Sequence, residues 1–117
     1  MNKDSAQEFA TEWIEAWNSH DIDRILSHYA DDFEMNSPVI ARRVGVASGV
    51  LQGKDQIRPY WQQAFEEYPD LEFKLLQVLQ GVSWMTIYYL GARGKEVAET
   101  FIFNPAGEVI RVYASYA

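Results

Sequence analysis

The sequence of 117 residues contains no cysteine and no long apolar run. A chain without cysteine has no disulfide framework, no thiolate nucleophile and no cysteine-ligated metal. No run is long enough to span a membrane, and Met1 to Asp4 lead into a helical pattern without an apolar signal segment. These absences predict a cytoplasmic protein without a membrane span.

Basic residues are also scarce. Ten Lys and Arg stand against 17 Asp and Glu, which gives a formal net charge of -7 and a pI near 4.7. Nucleic acids and anionic membrane surfaces bind proteins through basic patches, so this balance argues against both as partners. We expect a partner that is neutral, apolar or cationic.

Aromatic residues, by contrast, make up 15% of the chain and include four Trp and seven Tyr. Their polar tips need hydrogen-bond partners when they are buried, which favours a core with a hollow or an interface. The length, the 48% hydrophobic content and the 23% charged content are typical of one globular domain, and we assign residues 1–117 to it.

Caps and hydrophobic periodicity predict three helices. Ser5 with Glu8 has the spacing of a capping box, and the apolar residues that follow at four-residue intervals form one helix face. Asp21 and Asp55 are the predicted N-caps of the second and third helices. The buried stripe of the second helix is predicted to extend to Tyr29.

Five strands are predicted, one after the second helix and four after the third. They cover 33–37, 71–80, 82–90, 95–103 and 108–116. For the segment 39–53, three alternatives remain open: a loop, a short strand and a flexible lid. This order predicts an α+β fold in which the helices pack on one face of an antiparallel sheet.

The strand 82–90 is apolar on both faces. One face has Trp84, Thr86, Tyr88 and Leu90, and the other has Met85, Ile87 and Tyr89. A sheet face open to water alternates apolar and polar residues, so both faces are predicted to be covered. Because the three helices cover only one face, we predict a homodimer formed through the outer face of the sheet.

The strand 95–103 carries a carboxylate in an apolar row. Counting by two places Glu99 on one face with Val97, Phe101 and Phe103. A carboxylate there is costly unless it is neutral, paired or reactive, and burial would raise its pKa towards a value suited to acid/base catalysis. Two alternatives remain open: a bulge that turns Glu99 outward, and a structural acid bonded to Tyr88, Tyr29 or an Arg.

Four segments of the chain resemble a known family. They are 16–21 (AWNSHD), 28–33 (HYADDF), 53–61 (GKDQIRPYW) and 101–109. Together they resemble the nuclear transport factor 2-like superfamily, in its SnoaL-like and ketosteroid-isomerase-like branch. The resemblance implies a cystatin-like fold, a conical α+β barrel in which three N-terminal helices and a strongly curved, mostly antiparallel sheet enclose a pocket. It implies the fold more specifically than the function, because cyclases, isomerases, dehydratases and binding proteins share this fold.

Three positions of this chain correspond to the catalytic residues of the isomerases in this branch. The resemblance places Glu99 where they keep a protonated carboxylic acid that donates to an oxyanion. Their general-base carboxylate corresponds to Ser37, and their helix-one tyrosine, the second oxyanion donor, corresponds to Trp13. Because two of the three catalytic groups differ, steroid isomerisation by that mechanism is not expected.

A ligand pocket is predicted around Glu99. Its predicted lining residues are Trp13, Trp17, Tyr29, Phe33, Met35, Ser37, Tyr60, Trp61, Phe65, Phe101, Val112 and Tyr116. For each aromatic residue, ordinary core packing is the alternative. We expect no cofactor, and no metal because no His and carboxylate pair has ligand spacing. Arg42 and Arg43 are assigned to solvated surface charge, with two alternatives: the pocket mouth, and pairing with some of the 17 acidic residues.

Three functions are compatible with such a pocket. An isomerase, cyclase or dehydratase acting on a small apolar carbonyl compound, such as a polyketide-like or steroid-like one, would use Glu99 as its acid/base without a cofactor. A non-catalytic binding protein would use Glu99 as its one orienting polar group. A dimeric interaction module would fill the pocket with its own side chains.

Overall fold

The computed structural model describes residues 1–117 and confirms the α+β class, although four helices are present where three were expected. The elements are α1 (Lys3–Ser19), α2 (Ile22–Leu26), β1 (Tyr29–Asn36), α3 (Pro38–Val44), β2 (Val50–Gln52), α4 (Lys54–Glu67), β3 (Lys74–Gln80), β4 (Trp84–Leu90), a short 3-10 helix (Ala92–Gly94), β5 (Glu96–Phe103) and β6 (Val109–Tyr116). Six strands replace the five that were predicted.

All six strands form one sheet in the order β2-β1-β6-β5-β4-β3. Only β1 and β6 pair in parallel, and the other neighbours are antiparallel. The mostly antiparallel sheet is therefore confirmed. Because β2 and β3 are free edges, the sheet is open, and the predicted barrel is not closed.

The segment 39–53 contains a helix and a short strand. The Ser37 hydroxyl accepts a hydrogen bond from the backbone N–H of Val39 at 3.1 Å, and Pro38 occupies the first helical position of α3. The helix ends at Gly45, whose φ of 77° is left-handed. The strand alternative is correct for β2. The helix was not predicted, because seven residues are too few to show a clear period.

Two helices begin earlier than predicted, and one begins where expected. The capping box of α1 is formed by Asn2 and Ser5, one turn before the predicted box. Helix α4 begins after Gly53 instead of Asp55 and has no side-chain cap. Asp21 caps α2 as predicted.

Strand β1 begins at Tyr29, before the predicted start at 33. Asp31 and Asp32 lie within this strand, and both are exposed. The pairing of β1 with β6 shifts register between Tyr29 and Glu34, and this irregularity lets two successive carboxylates face water. The assignment of Tyr29 to the second helix is therefore wrong.

Buried aromatic residues fill the space between α1 and the sheet. The largest fully buried side chains are Trp13, Tyr29, Phe33 and Phe101. Removing each of these side chains from water stabilises the fold by about 1.5–3 kcal/mol before the entropy cost of ordering it. The aromatic content therefore serves mainly to build one core.

Glu99 lies in the middle of the sheet and faces the core. It is paired with Ile87 of β4 and Ala114 of β6, and the register of β4 with β5 is unbroken along the whole pairing. Only 3% of Glu99 is exposed. The alternative in which a bulge turns Glu99 outward is therefore excluded.

Candidate functional site

A cavity of about 200 Å³ lies beside Glu99. Helices α1, α3 and α4, strands β1, β4, β5 and β6, and the loops before β3 and β5 all contribute to its walls. Thirteen of its 19 lining residues are hydrophobic, so most of the wall suits an apolar molecule.

Six of the 13 predicted site residues line this cavity. They are Trp17, Met35, Tyr60, Trp61, Glu99 and Tyr116. These side chains come from five separate elements, and the fold brings them together because α1 and α4 lie over the face of the sheet that carries Glu99.

Seven predicted site residues do not line the cavity. They are Trp13, Tyr29, Phe33, Ser37, Phe65, Phe101 and Val112. Trp13 Nε1 donates to Tyr29 Oη at 2.9 Å, so the two polar tips satisfy each other inside the core. Phe65 stacks on the ring of His20 at 4.5 Å between ring centroids. Core packing, the alternative stated for the aromatic residues, describes the five aromatic members of this group.

Ser37 and Trp13, the two positions at which the chain differs from the isomerases, both have structural roles. The Ser37 hydroxyl caps α3, and the Trp13 indole is bonded to Tyr29. Neither residue lines the cavity. The cavity therefore presents Glu99 without the two partner groups that the isomerases use.

The Glu99 carboxyl group has one hydrogen-bond partner in the protein. Tyr89 Oη donates to Glu99 Oε1 at 2.7 Å in the buried interior. Tyr88, which the sequence suggested as a partner, instead donates to Glu96 on the other face of the sheet. Tyr29 accepts from an indole instead, and no Arg forms an ion pair with Glu99.

Burial is the main cause of the shifted pKa values of Glu99 and Tyr89. It raises the pKa of Glu99 to about 7, because the charged form loses its hydration, and the hydrogen bond from Tyr89 acts in the opposite direction. Burial and the charge of Glu99 also raise the pKa of Tyr89 well above its usual value, so its hydroxyl remains a donor. Near neutral pH, Glu99 is present in both forms and can give or take a proton.

Four exposed cationic side chains form the mouth of the cavity. They are Arg42 and Arg43 from α3, and Arg93 and Lys95 from the connection between β4 and β5. Arg43 donates to Glu67 and to the Tyr68 hydroxyl. The guanidinium carbon of Arg93 lies 5.0 Å from the centre of the Tyr68 ring, within cation–π distance. Both Arg42 and Arg43 line the cavity, as the pocket-mouth alternative expects, and Arg43 also pairs with an acidic residue, as the other alternative expects.

Trp17 brings a donor without an acceptor to the same cavity. The residue is 5% exposed, and its indole N–H has no hydrogen-bond partner. Its ring packs against those of Trp61 and Phe73 at centroid distances of 5.0 and 5.1 Å. A buried N–H without an acceptor is costly, so a ligand oxygen within reach of it would gain a hydrogen bond.

Most of the remaining lining residues were not predicted. Tyr89 was recognisable in principle, because it shares a strand face with Met85 and Ile87, but the register against Glu99 was needed to pair them. Leu71 and Phe73 lie in the irregular segment before β3, where no period marks an inward residue. The strand predicted to start at residue 71 begins at Lys74.

The donor set of the cavity consists of a carboxyl group, a tyrosine hydroxyl, an indole N–H and the mouth cations. The structure brings no three His, Asp or Glu side chains together in a way that could hold a metal ion. None of its helices is both long enough and apolar enough to cross a membrane. The arrangement suits proton transfer to or from an apolar molecule that carries oxygen acceptors.

The sequence matches the family model described as the SnoaL-like domain over residues 10–113. A solved SnoaL-like protein of unknown function from Burkholderia thailandensis is 47% identical, with a TM-score of 0.97 over 99% of this chain and 97% of its own. A comparison with proteins of curated function finds no match.

Two more distant solved structures support the fold alone. A protein of unknown function with a cystatin-like fold from Methylobium petroleophilum is 16% identical, with a TM-score of 0.78 over 100% of this chain and 78% of its own. The epoxide hydrolase/cyclase-like enzyme SalBIII, described in pyran ring formation in the polyether salinomycin, is 13% identical, with a TM-score of 0.76 over 99% of this chain and 93% of its own. The fold that the sequence resemblance implied is confirmed.

Proposed function

This chain belongs to the SnoaL-like domain family, and from that premise we propose that its cavity binds a small apolar, carbonyl-containing molecule on which Glu99 acts as general acid and base. The observation that carries the proposal is a carboxyl group that lines a mostly apolar cavity, is 3% exposed and has a pKa of about 7. Perturbed carboxyl groups of this kind occur at catalytic sites more often than elsewhere.

The volume of the cavity supports a small ligand. An apolar cavity of about 150 Å³ binds benzene, so a cavity of about 200 Å³ matches a molecule of one ring with a few further atoms. This size does not favour the steroid-like or polyketide-like compounds that the sequence suggested. It also does not favour an interaction module whose pocket is filled by its own side chains.

The proposed chemistry is proton transfer next to a carbonyl group. The ionised Glu99 removes a proton from the carbon beside the carbonyl, and the electron pair of the broken C–H bond forms a carbon–carbon double bond while the carbonyl oxygen becomes an enolate. The protonated Glu99 then returns the proton to the same or to a neighbouring carbon. Tyr89 orients the carboxyl group through its 2.7 Å hydrogen bond, and the aromatic wall limits access of water.

The test is exchange of carbon-bound protons in D₂O. Loss of the proton signals beside the carbonyl group is followed by NMR for a panel of one-ring and short-chain ketones and aldehydes. We expect faster exchange with the protein than without it for at least one compound, and loss of that acceleration in Glu99→Gln. Glu96→Gln, on the opposite face of the same strand, is the matched control and should exchange at the wild-type rate.

The alternative is a binding protein without catalysis, in which Glu99 only orients the ligand. The specific observation in its favour is that Ser37 and Trp13, where the isomerases have two further catalytic groups, lie outside the cavity. Binding of a panel compound without any accelerated exchange would select this alternative. Equal exchange by the wild type and Glu99→Gln would contradict a catalytic role.

We also propose that the protein is a cytoplasmic homodimer formed through the outer sheet face. Three large apolar residues on or beside that face are substantially exposed: Leu79 at 53%, Trp84 at 46% and Tyr113 at 41%. Exposed apolar patches of this kind support an interface. Sedimentation should give a dimer for the wild type and a monomer for Trp84→Glu, whereas Val82→Glu in the adjacent turn should leave the dimer intact. A monomeric wild type contradicts the proposal.

A further inference from the structure

The cationic residues of this chain are distributed unequally. Four of its ten Lys and Arg residues line one cavity, although Asp and Glu outnumber Lys and Arg by 17 to 10. The three arginines outside the cavity, Arg24, Arg58 and Arg111, each form an ion pair with a carboxylate. At the mouth, only Arg43 has such a partner, which is Glu67.

Three positive charges at the mouth are left without a counterion. Arg42, Arg93 and Lys95 form no ion pair. The C-terminus of α3 accounts for Arg42 in part, because a helix C-terminus attracts positive charge, but Arg93 and Lys95 belong to a different part of the chain. Like charges that line one cavity repel one another, and an anion bound among them would relieve this repulsion.

Arg93 is held at the mouth by an unusual backbone conformation. Its φ of 59° and ψ of 26° lie in the left-handed region, which residues other than Gly, Asn and Asp rarely adopt. Its guanidinium group stands over the ring of Tyr68, and that of Arg43 lies 5.5 Å from the centre of the same ring. Strained residues are concentrated at ligand sites, where the strain positions a functional group.

Two other residues that line the cavity have a donor hydrogen without an acceptor in the protein. The Trp17 indole N–H is buried without a partner, and Glu99 has a carboxyl proton to donate when it is neutral. A ligand that satisfies both regions must therefore carry an oxygen acceptor within the cavity and a negative charge at its mouth.

We propose that the ligand is a small organic anion whose carboxylate or phosphate is bound by Arg42, Arg93 and Lys95. Its apolar body, with one ring or a short chain, fills the cavity and presents an oxygen to Trp17 or Glu99. This inference rests on the proposed ligand-binding function of the cavity and names the class of its substrate. It replaces the expectation of a neutral or cationic partner, because the local charge at the mouth is opposite in sign to the net charge of the chain.

Charge-matched probes test this inference directly. Benzoate, phenylacetate and phenylphosphonate are compared with benzamide and phenylacetamide, which have similar shapes and no charge. Binding is measured by calorimetry and by chemical-shift changes of the indole N–H signals, in low salt and at a pH about one unit below the Glu99 pKa of about 7. The double variant Arg42→Gln/Arg93→Gln removes two of the free cations, and Arg58→Gln is the control because Arg58 is paired with Asp23 away from the cavity.

The expected result is that at least one anion binds about tenfold more tightly than its neutral amide, as charge-assisted hydrogen bonds predict. The double variant should lose this preference and Arg58→Gln should keep it. A carboxylate that binds while phenylphosphonate does not identifies the anion as a carboxylate, and the reverse identifies it as a phosphate. Equal binding of anions and amides, the same preference in the double variant, or no binding of any anion would overturn the inference.

The outcomes also separate this inference from the role of Glu99. A short keto acid such as levulinate carries both groups: if it binds more tightly than its amide but its carbon-bound protons exchange no faster with the wild type than with Glu99→Gln, the charge inference is supported and the catalytic proposal is contradicted. Accelerated exchange of a neutral ketone, together with equal binding of acids and amides, supports the catalytic proposal and contradicts the charge inference.

Discussion

Glu12 and Glu99 are the same kind of side chain in two opposite settings. Glu12 lies at the outer side of α1, where Arg24 donates two hydrogen bonds to it at 3.0 and 2.6 Å and His28 lies 3.1 Å away. These bonds lower the pKa of Glu12 to about 2, whereas burial raises that of Glu99 to about 7. The outer carboxylate has a cationic partner, Arg24, and the buried one has only Tyr89.

This difference separates a structural carboxylate from a candidate functional one. A paired carboxylate at the surface links two helices and is always ionised near neutral pH. An unpaired carboxyl group in a cavity destabilises the fold when it ionises, which makes a purely structural role unfavourable. Variants of Glu99, of its partner Tyr89 and of Glu12 test this difference.

The largest expected effect is on the rate of proton exchange when Glu99 is replaced. Glu99→Gln is expected to lower the rate of proton exchange for an active carbonyl compound by about 10²- to 10⁴-fold, because the amide cannot take up the proton. Glu12→Gln should leave the rate unchanged. The measurement is the NMR exchange assay in D₂O, and a comparable loss in both variants would indicate a general effect on the fold.

The second largest expected effect is on the pH dependence of the free energy of unfolding, which should differ between Glu99 and Glu12. The pKa of Glu99 is higher in the folded chain than its usual 4.5, so the folded state binds more protons and the free energy of unfolding falls as pH rises from about 4.5 to 7. The size of this loss is about 3 kcal/mol. Glu99→Gln should lack this loss and be the more stable protein at alkaline pH.

Urea unfolding at a series of pH values measures this effect. The difference between wild type and Glu99→Gln is the informative quantity, because it removes the contributions of all other titrating groups. A difference that stays constant from acid to alkaline pH would mean that Glu99 does not titrate with a raised pKa.

The hydrogen bond from Tyr89 should have a smaller effect. Tyr89→Phe removes the only group that stabilises the ionised form of Glu99, so the Glu99 pKa should rise further. The free energy of unfolding should fall by about 1 kcal/mol, the usual net contribution of such a bond. Unfolding curves and the pH dependence of exchange report the two effects, and an unchanged or lower pKa would contradict the assigned donor. Tyr88→Phe, on the opposite face, is the matched control.

Replacing the outer carboxylate, Glu12, should have the smallest effect on the free energy of unfolding. Its contribution should be lost as pH falls, whereas that of Glu99 is lost as pH rises. Because the pKa of Glu12 is lowered, its stabilisation is present above about pH 4.5 and is lost as pH falls towards 2. About a third of its side chain is exposed, so Glu12→Gln should cost less than about 1 kcal/mol at neutral pH. A larger loss in urea unfolding at neutral pH would show that the cluster with Arg24 and His28 is a main support of the fold.

The position of Glu99 could be predicted from the sequence, because the side chains of a strand alternate strictly and β5 carries a regular apolar row. The hydrogen-bond partner of Glu99, Tyr89, could not be predicted in this way. The choice between Tyr88 and Tyr89 depends on the register between β4 and β5, which is a non-local property that no single strand contains.

The pocket mouth was one alternative for Arg42 and Arg43, but the sequence could not show that four cations line one opening, for a similar reason. Arg42 lies on a seven-residue helix and Arg93 on a turn about 50 residues later, and only the packing of the whole sheet brings them to one opening. The net charge of -7 does not reveal these cations, because it averages over the whole surface. The place of Trp17 in the cavity wall was predicted from its helix face. The absence of an acceptor for its indole N–H could not be predicted, because it depends on all the neighbouring residues.

A direct titration by carboxyl ¹³C NMR, with the signal assigned by its absence in Glu99→Gln, tests most sharply whether burial raises the pKa of Glu99. We predict a midpoint near pH 7, the result of burial without a cationic partner. A midpoint at or below about 4.5, the ordinary value for a glutamate, would contradict the buried and unpaired carboxyl group on which the proposed function depends.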